Sequence, residues 1–215
     1  MKPTRKNLLL AVGSVLVIAG SGLWIYYREF KAPKYNVPLH QRVGEVLAEE
    51  TAKAVGPKGH LMLITIPTSE EPELATQLDA FHQRLKKLGN YELKDHELDT
   101  KDQPKYGIGT GLSARRFVRA VKNHPEVDAI VSFVGAPHLK VDDFAELKRK
   151  PKFIAESRSP DYLPELFASN VLQVAVVSRF VFPAPGPTRP KNAQQWFDKR
   201  YQVIDAAAMK ANPPE

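Results

Sequence analysis

Hydrophobic positions along this chain follow two alternating patterns. Apolar residues recur at helical spacing in residues 39–54, 72–88, 113–124, 141–150 and 162–169. Short, near-continuous apolar runs lie between them at residues 60–66, 128–135, 152–155 and 171–180, which is typical of strands covered on both faces. Residues 91–98 alternate and are heavily charged, as expected of an edge strand.

This alternation of strands and helices predicts the fold class. Parallel strands need a crossover between them, and helices separate the runs that read as strands. We therefore expect an α/β domain at residues 39–180, a single lobe built on a doubly wound parallel sheet in the order 2-1-3-4-5. An N-terminal transmembrane helix precedes this lobe, and a Pro-rich C-terminal arm follows it at residues 181–215.

The transmembrane helix is predicted from a charge-free run at residues 8–27. Its 20 residues would extend about 30 Å as a helix, the thickness of the hydrocarbon core of a bilayer. We expect residues 1–30 to anchor the chain in a bacterial inner membrane, with a linker at 31–38 and the domain in the periplasm. A signal peptide cleaved after Ala19-Gly20-Ser21 is the alternative, but the apolar run continues beyond that point, which favours retention.

The C-terminal arm contains four prolines within eight residues, at positions 183, 185, 187 and 190, so it cannot form a regular element there. An apolar rhythm returns at residues 195–209. This segment is too aromatic for a solvated coil, and we expect it to dock on the domain or on a partner. Trp196, Phe197 and Tyr201 are the candidate partner-binding residues.

The net charge of +7 does not indicate nucleic-acid binding. Residues 1–34 hold six basic side chains and one acidic side chain, which leaves 25 against 23, a net charge of +2, for residues 35–215. A nearly neutral domain lacks the electrostatic footprint of a nucleic-acid binder. The absence of cysteine excludes disulfides, lipoprotein acylation and cysteine-based catalysis or metal sites.

Several segments resemble the second lobe of sugar-type periplasmic binding proteins. Residues 44–64 resemble the helix and strand that open that lobe, and residues 124–130 (HPEVDAI) are similar to the entry into its next strand. The strand at 152–154 and the loop at 159–161 continue the resemblance, which spans residues 40–180. The resemblance implies the fold of one lobe of these proteins.

The same resemblance places no sugar-binding group where the family carries one. An arginine, an Asn-Asp pair and an aspartate are implied at Gln77, Val134-Gly135 and Ser157, and this sequence has none of them. Hydroxyl groups buried without polar partners cost more than apolar contact returns. We therefore expect a lobe without the ordinary sugar site.

A ligand, if one binds, is expected where open parallel sheets bind ligands, at the carboxyl ends of the strands. The loops there supply the candidate ligand-binding residues, which are Thr68, Ser69, Gly135, His138, Ser157 and Arg158.

Other chemical signals have simpler explanations. The glycines at residues 106–111 lack the spacing of a dinucleotide site or a P-loop, which favours a flexible loop. Asp95, Glu97 and Asp99 share a strand face and could hold a divalent cation, but a charged edge strand explains them equally well. The six histidines have no metal-binding spacing and there is no G-x-S-x-G motif, so neither a metal, a cofactor nor an enzyme is expected.

Two classes of function fit these patterns. The first is a non-catalytic periplasmic module that acts as an accessory or scaffold subunit of a membrane-associated protein complex, through its C-terminal contacts. The alternative is a small-molecule binding or sensing lobe that works with a partner or as a homodimer.

Overall fold

The computed structural model describes residues 5–26, 35–69, 71–98, 112–147, 150–158, 163–179 and 190–211. The chain divides into two compact units, residues 1–36 and 37–215. The first unit contains helix α1 (Arg5–Tyr26). Within the described ranges, the structure contains no helix whose length and apolar character would let it cross a membrane, so the predicted membrane anchor is not confirmed.

The second unit contains seven helices and six strands within its described residues. In chain order these are α2 (Val37–Val55), β1 (Lys58–Thr65), α3 (Pro72–Leu88), β2 (Asn90–Glu97), α4 (Ala114–Asn123), β3 (Ala129–Ser132), α5 (Val141–Glu146), β4 (Lys152–Ser157), α6 (Leu163–Ala168), β5 (Leu172–Ser178), α7 (Ala193–Arg200), β6 (Tyr201–Asp205) and α8 (Ala206–Ala211). Local signals define several boundaries: Ser113 caps α4 by accepting from the Arg116 amide, and Asn192 caps α7 by accepting from the Gln195 amide.

The six strands form one sheet in the order β2-β1-β3-β4-β5-β6. The first five are parallel, and the predicted order 2-1-3-4-5 is confirmed. Strand β6 was not predicted. It pairs antiparallel with β5, with Val176 opposite Val203 and Ser178 opposite Tyr201.

Each face of the sheet is covered by a hydrophobic cluster. Side chains alternate across β4: Phe153 and Ala155 belong to the cluster beneath α4 and α6, and Ile154 belongs to the cluster beneath α2 and α3. Helices α2 and α3 approach so closely at Gly44 that a methyl group there would overlap with the backbone carbonyl of Gln77. The sheet is therefore buried on both faces, as its near-continuous apolar runs predicted.

The C-terminal segment, defined here as residues 190–211, wraps around the β5 side of the sheet. On one face α7 packs against α2, where the Arg42 Nε donates a 2.7 Å hydrogen bond to Gln194. Strand β6 lies along β5, and α8 packs against α6 on the other face, where Met209 is buried. The segment therefore docks on the chain's own domain, which was one of the two alternatives expected from the sequence.

Phe197, one of the three candidate partner-binding residues, lies inside the domain. Its side chain is 4% exposed and belongs to the cluster beneath α2 and α3, so the chain's own residues already enclose it. Trp196 and Tyr201 are half-buried against the same cluster. These aromatic side chains therefore pack within the domain, and partner binding by Trp196, Phe197 and Tyr201 stays a prediction.

Candidate functional site

The carboxyl-end edge of the sheet brings the predicted ligand loops together. Strands β1, β3, β4 and β5 are neighbours in the sheet and run parallel, so the chain leaves all four at the same edge. The loops that follow Thr65, Ser132 and Ser157 carry five of the six candidate ligand residues, and the sixth, Ser157, is the last residue of β4. Open parallel sheets bind ligands at this edge.

Thr68 and Ser69 lie in an exposed turn between β1 and α3. The Thr68 carbonyl accepts a 3.2 Å hydrogen bond from the Glu71 amide, which closes the turn before α3 begins. Both hydroxyls are on the surface, where they are available to a ligand above the sheet edge.

The loop after β3 is fixed by a buried serine. The Ser132 hydroxyl donates a 2.7 Å hydrogen bond to the Gly135 carbonyl and accepts a 3.3 Å bond from the Val134 amide. Gly135 has a φ of +96°, a backbone conformation that residues other than glycine rarely adopt. Further along, His138 is exposed, with its Nε2 3.9 Å from Glu165 Oε2. Ser132 therefore sets the path of the loop that carries Gly135 and His138.

Ser157 and Arg158 end strand β4 in different environments. Ser157 is buried opposite Val177 of β5, whereas Arg158 is exposed just beyond the strand. Of the residues predicted on this loop, Arg158 offers the cation that a ligand can reach.

Glu156, immediately before them, was missed by the sequence interpretation. It lies opposite Val176 of β5 with its side chain on the α2 and α3 face, and it is 8% exposed. Burial raises the pKa of Glu156 to about 7, although the Arg158 charge opposes the rise. The signal in the sequence was a single glutamate directly after the apolar run at 153–155.

Tyr201 lies near Glu156 on the same face of the sheet. Burial raises the pKa of Tyr201 to about 12, the negative charge of Glu156 adds to the rise, and a hydrogen bond with Ser178 opposes it. The Phe197 ring stacks on the Tyr201 ring with their centroids 5.7 Å apart. Glu156, Ser178 and Tyr201 thus form a polar group inside an otherwise apolar cluster.

A second polar contact faces the same end of the sheet from the helices. Gln77 of α3 is buried, and its Nε2 lies 3.1 Å from the His40 Nδ1 of α2. Burial lowers the pKa of His40, and the nearby carboxylate of Glu73 opposes this effect. Gln77, where the resemblance implied a sugar-binding arginine, therefore joins two helices.

The divalent-cation alternative, which the sequence analysis did not favour, finds no support in the described residues. These residues contain no cluster of three or more side chains that could hold a metal ion. Asp95 and Glu97 lie on β2 at the edge of the sheet, whereas Asp99 and residues 106–111 lie outside the described residues.

A surface groove of about 530 Å³ runs between α2 and the C-terminal segment, and Arg42, Glu49, Lys53 and Arg179 are among its lining residues.

No family model matches the sequence, and no curated protein matches it. Solved structures do match. A solute-binding protein of an ABC transporter from Burkholderia graminis C4D1M, in complex with D-arabinose, has a TM-score of 0.54 and 16% identity, and the match covers 81% of this chain and 62% of that one. AraP, an arabinose-binding protein from Geobacillus stearothermophilus, has a TM-score of 0.54 and 17% identity, with coverages of 80% and 62%. A mutant of the XylFII–LytSN complex has a TM-score of 0.50 and 15% identity, with coverages of 79% and 60%.

These similarities show the fold of the chain, which is that of sugar-type periplasmic binding proteins. The resemblance found in the sequence is therefore confirmed at the level of the fold. The chain spans about three fifths of the length of the proteins that it matches.

Proposed function

We propose that this chain is a non-catalytic lobe that binds a small polyhydroxylated molecule at the carboxyl-end edge of its sheet. The observation that carries the proposal is the convergence of Thr68, Gly135 and Arg158 on that edge, after three neighbouring parallel strands. Similar folds include proteins named for arabinose binding, which supports a sugar or sugar-like ligand. Because the groups of the ordinary sugar site are missing from this sequence, the proposal assigns the ligand's contacts to the strand-end loops instead. Such proteins also support a location outside the cytoplasm.

The proposal includes a cover over the ligand from a second protein or a second copy, the alternative that the sequence also suggested. The match to a complex of XylFII with LytSN supports a protein partner. The accessory-subunit role is the less favoured reading, because the residues that suggested it, Trp196 and Phe197, pack on the domain itself.

The test is thermal unfolding of the full chain with a panel of pentoses and hexoses that includes D-arabinose. A ligand present at 100 times its dissociation constant stabilises a protein by about 2.7 kcal/mol, which raises the melting temperature by about 5 to 10 °C for a domain of this size. We expect this increase with at least one member of the panel.

Two variants localise the site. Arg158→Ala removes the exposed cation beyond β4 and should abolish the temperature increase. Arg119→Ala removes an exposed arginine from α4 and should preserve it. No increase with any sugar, for the chain alone and at concentrations where it self-associates, would reject the proposal and return the accessory role to first place.

A further inference from the structure

The two edge strands of the sheet, β2 and β6, differ in charge. Strand β2 has the sequence NYELKDHE, in which four of the eight residues are charged. Charged side chains on an edge strand oppose its pairing with a strand of another molecule. Strand β6 has the sequence YQVID, in which only the last residue, Asp205, is charged. The sequence therefore protects the β2 edge against pairing and leaves the β6 edge without this protection.

The backbone of β6 directs alternate residues away from the sheet. The Arg179 amide donates a 2.7 Å hydrogen bond to the Arg200 carbonyl, which fixes the alternation of the antiparallel pair β5–β6. Gln202 and Ile204 therefore direct their amides and carbonyls toward β5, whereas Val203 directs its own outward. Within the part of the chain that the structure describes, the Val203 amide and carbonyl have no hydrogen-bond partner.

The side chain of Val203 is also open to contact. It is 38% exposed, and its pairing with Val176 places it on the face covered by α2 and α3. There it lines the groove between α2 and the C-terminal segment. An added strand binds through main-chain hydrogen bonds and through contacts of alternate side chains. Val203 offers both at one position.

Opposite charges flank Val203 along the edge. On one side, the Arg179 Nε donates a 3.0 Å hydrogen bond to the Tyr201 carbonyl, which holds the guanidinium at the first residue of β6. On the other side, Asp205 is exposed, and its Oδ1 accepts a 2.8 Å hydrogen bond from the Ala208 amide. The edge therefore has a cation at its beginning and an anion at its end.

We propose that β6 pairs antiparallel with β6 of a second copy of this chain, about a two-fold axis between the two Val203 residues. In this register the amide of each Val203 donates to the carbonyl of the other, and the two side chains are in contact. Tyr201 of each copy lies opposite Asp205 of the other, which brings Arg179 beside that carboxylate. A parallel arrangement would place like charges together, so the charges select the antiparallel one.

This pairing uses a different part of the sheet from the proposed ligand site. The β5 strands of the two copies run in opposite directions, so their carboxyl-end edges lie at opposite ends of the joined sheet. The interaction surface and the ligand site are therefore separate. The outcome of a test of one does not decide the other.

Analytical ultracentrifugation of the full chain in mild detergent, from about 1 μM to about 1 mM, measures the association. We expect a concentration-dependent equilibrium between monomer and dimer. Val203→Pro removes the outward amide and keeps the amides that face β5, as edge-strand prolines do. Val203→Lys places two cations at the axis. Both variants should weaken the dimer by about tenfold or more, whereas Val203→Thr, which keeps the amide and the branched shape, should associate as the wild type does.

Cross-linking tests the register. The chain has no cysteine, so Val203→Cys introduces a single thiol, which the axis brings next to its own copy. The Cα atoms of such a pair lie about 5.5 Å apart, within the range of a disulfide. We expect a disulfide-linked dimer on mild oxidation. Leu93→Cys is the matched control, because Leu93 lies on the β2 edge and is 39% exposed, and it should remain monomeric.

Three results would overturn the proposal. The first is a wild-type monomer at every concentration. The second is association of Val203→Pro and Val203→Lys with the wild-type dissociation constant, which would place the contact elsewhere on the chain. The third is cross-linking of Val203→Cys no faster than that of Leu93→Cys. Circular dichroism of each variant confirms that it is folded, and Val203→Lys keeps the test decisive if Val203→Pro is not.

Discussion

Phe197 and Tyr201, four positions apart in the chain, stack with their ring planes at 18° to each other and their centroids 5.7 Å apart. Phe197 lies in the last turn of α7, and Tyr201 is the first residue of β6. The stack therefore fixes the direction in which the chain passes from the helix to the strand. The contact lies within the cluster beneath α2 and α3. A pair that the sequence suggested as a partner surface thus connects two elements of one domain.

Phe197→Ala is expected to destabilise the domain by about 3 to 5 kcal/mol, because it removes a large buried ring and leaves a cavity. Urea unfolding followed by circular dichroism measures the loss. Asp198→Ala, at the next and exposed position, should change the unfolding free energy by less than about 0.5 kcal/mol. An unfolding free energy of Phe197→Ala equal to that of the wild type would mean that the ring does not stabilise the fold, and the partner-contact interpretation would regain its basis.

Ser132→Ala is expected to destabilise the loop after β3. The buried hydroxyl donates a hydrogen bond to the Gly135 carbonyl and accepts one from the Val134 amide. Its removal should lower the unfolding free energy by about 1 to 3 kcal/mol, because both backbone groups lose a hydrogen-bond partner. Thermal unfolding measures this cost, and Ser69→Ala, an exposed serine on the neighbouring loop, is the matched control. Equal melting temperatures for the two variants would show that Ser132 does not fix the loop.

Glu49 is expected to make stability depend on pH in the acidic range. Burial opposes ionisation of its carboxyl. The Arg42 Nη1, 3.1 Å from Glu49 Oε1, and the Arg84 Nη2, 3.0 Å from the same oxygen, outweigh this effect and lower the pKa of Glu49. The stabilisation is therefore complete above the ordinary pKa of 4.5 and is lost as the pH falls through the lowered pKa.

At pH 7 the unfolding free energy of Glu49→Gln should be about 1 kcal/mol lower than that of the wild type, since the ion pairs of Glu49 with Arg42 and Arg84 are only partly buried. On acidification the unfolding free energy of the variant should fall by less than that of the wild type. Urea unfolding at pH 7 and pH 3 measures both quantities. The control is Glu92→Gln, whose side chain is 84% exposed and which should behave as the wild type does. The same acid dependence in Glu49→Gln and the wild type would contradict this role.

The membrane anchor at residues 8–27 stays a prediction of the sequence, and alkaline carbonate extraction of membranes tests it. If the run spans a bilayer, the protein remains in the membrane pellet. Ile18→Lys places a charge in the middle of the run, which costs about 2.5 to 3.5 kcal/mol on insertion scales and should reduce retention. Recovery of the wild-type protein in the soluble fraction would show that the prediction is wrong.

The parallel part of the fold was predictable because its signals are local. Helix α3 was expected at residues 72–88 and begins and ends there, since Pro72 starts the helix and Gly89 follows its last residue. The apolar runs of β1, β3, β4 and β5 are those of strands buried on both faces, and the connecting helices fix their parallel order. Strand β6 escaped prediction because a strand of five residues that alternates weakly depends on its pairing with β5.

The candidate site was only partly predictable, for a different reason. The strand-end loops with Thr68, Gly135 and Arg158 follow from the topology, because parallel strands end at a common edge. Glu156 and Tyr201 are far apart in the sequence, and nothing local shows that they meet. The buried position of Glu156 depends on α2, which packs on β4 from about 100 residues earlier in the chain.

The wrapping of the C-terminal segment around β5 has a consequence for synthesis of the protein. Strand β5 is complete at residue 178, and α2 and α6, which contact it, precede it in the chain, but the strand that pairs with its outer edge, β6, lies at Tyr201–Asp205. Chains fold from the N-terminus as they leave the ribosome. The nascent domain therefore carries an unpaired edge on β5 until residue 205 has emerged, and this interval is the period in which we expect it to depend most on chaperones.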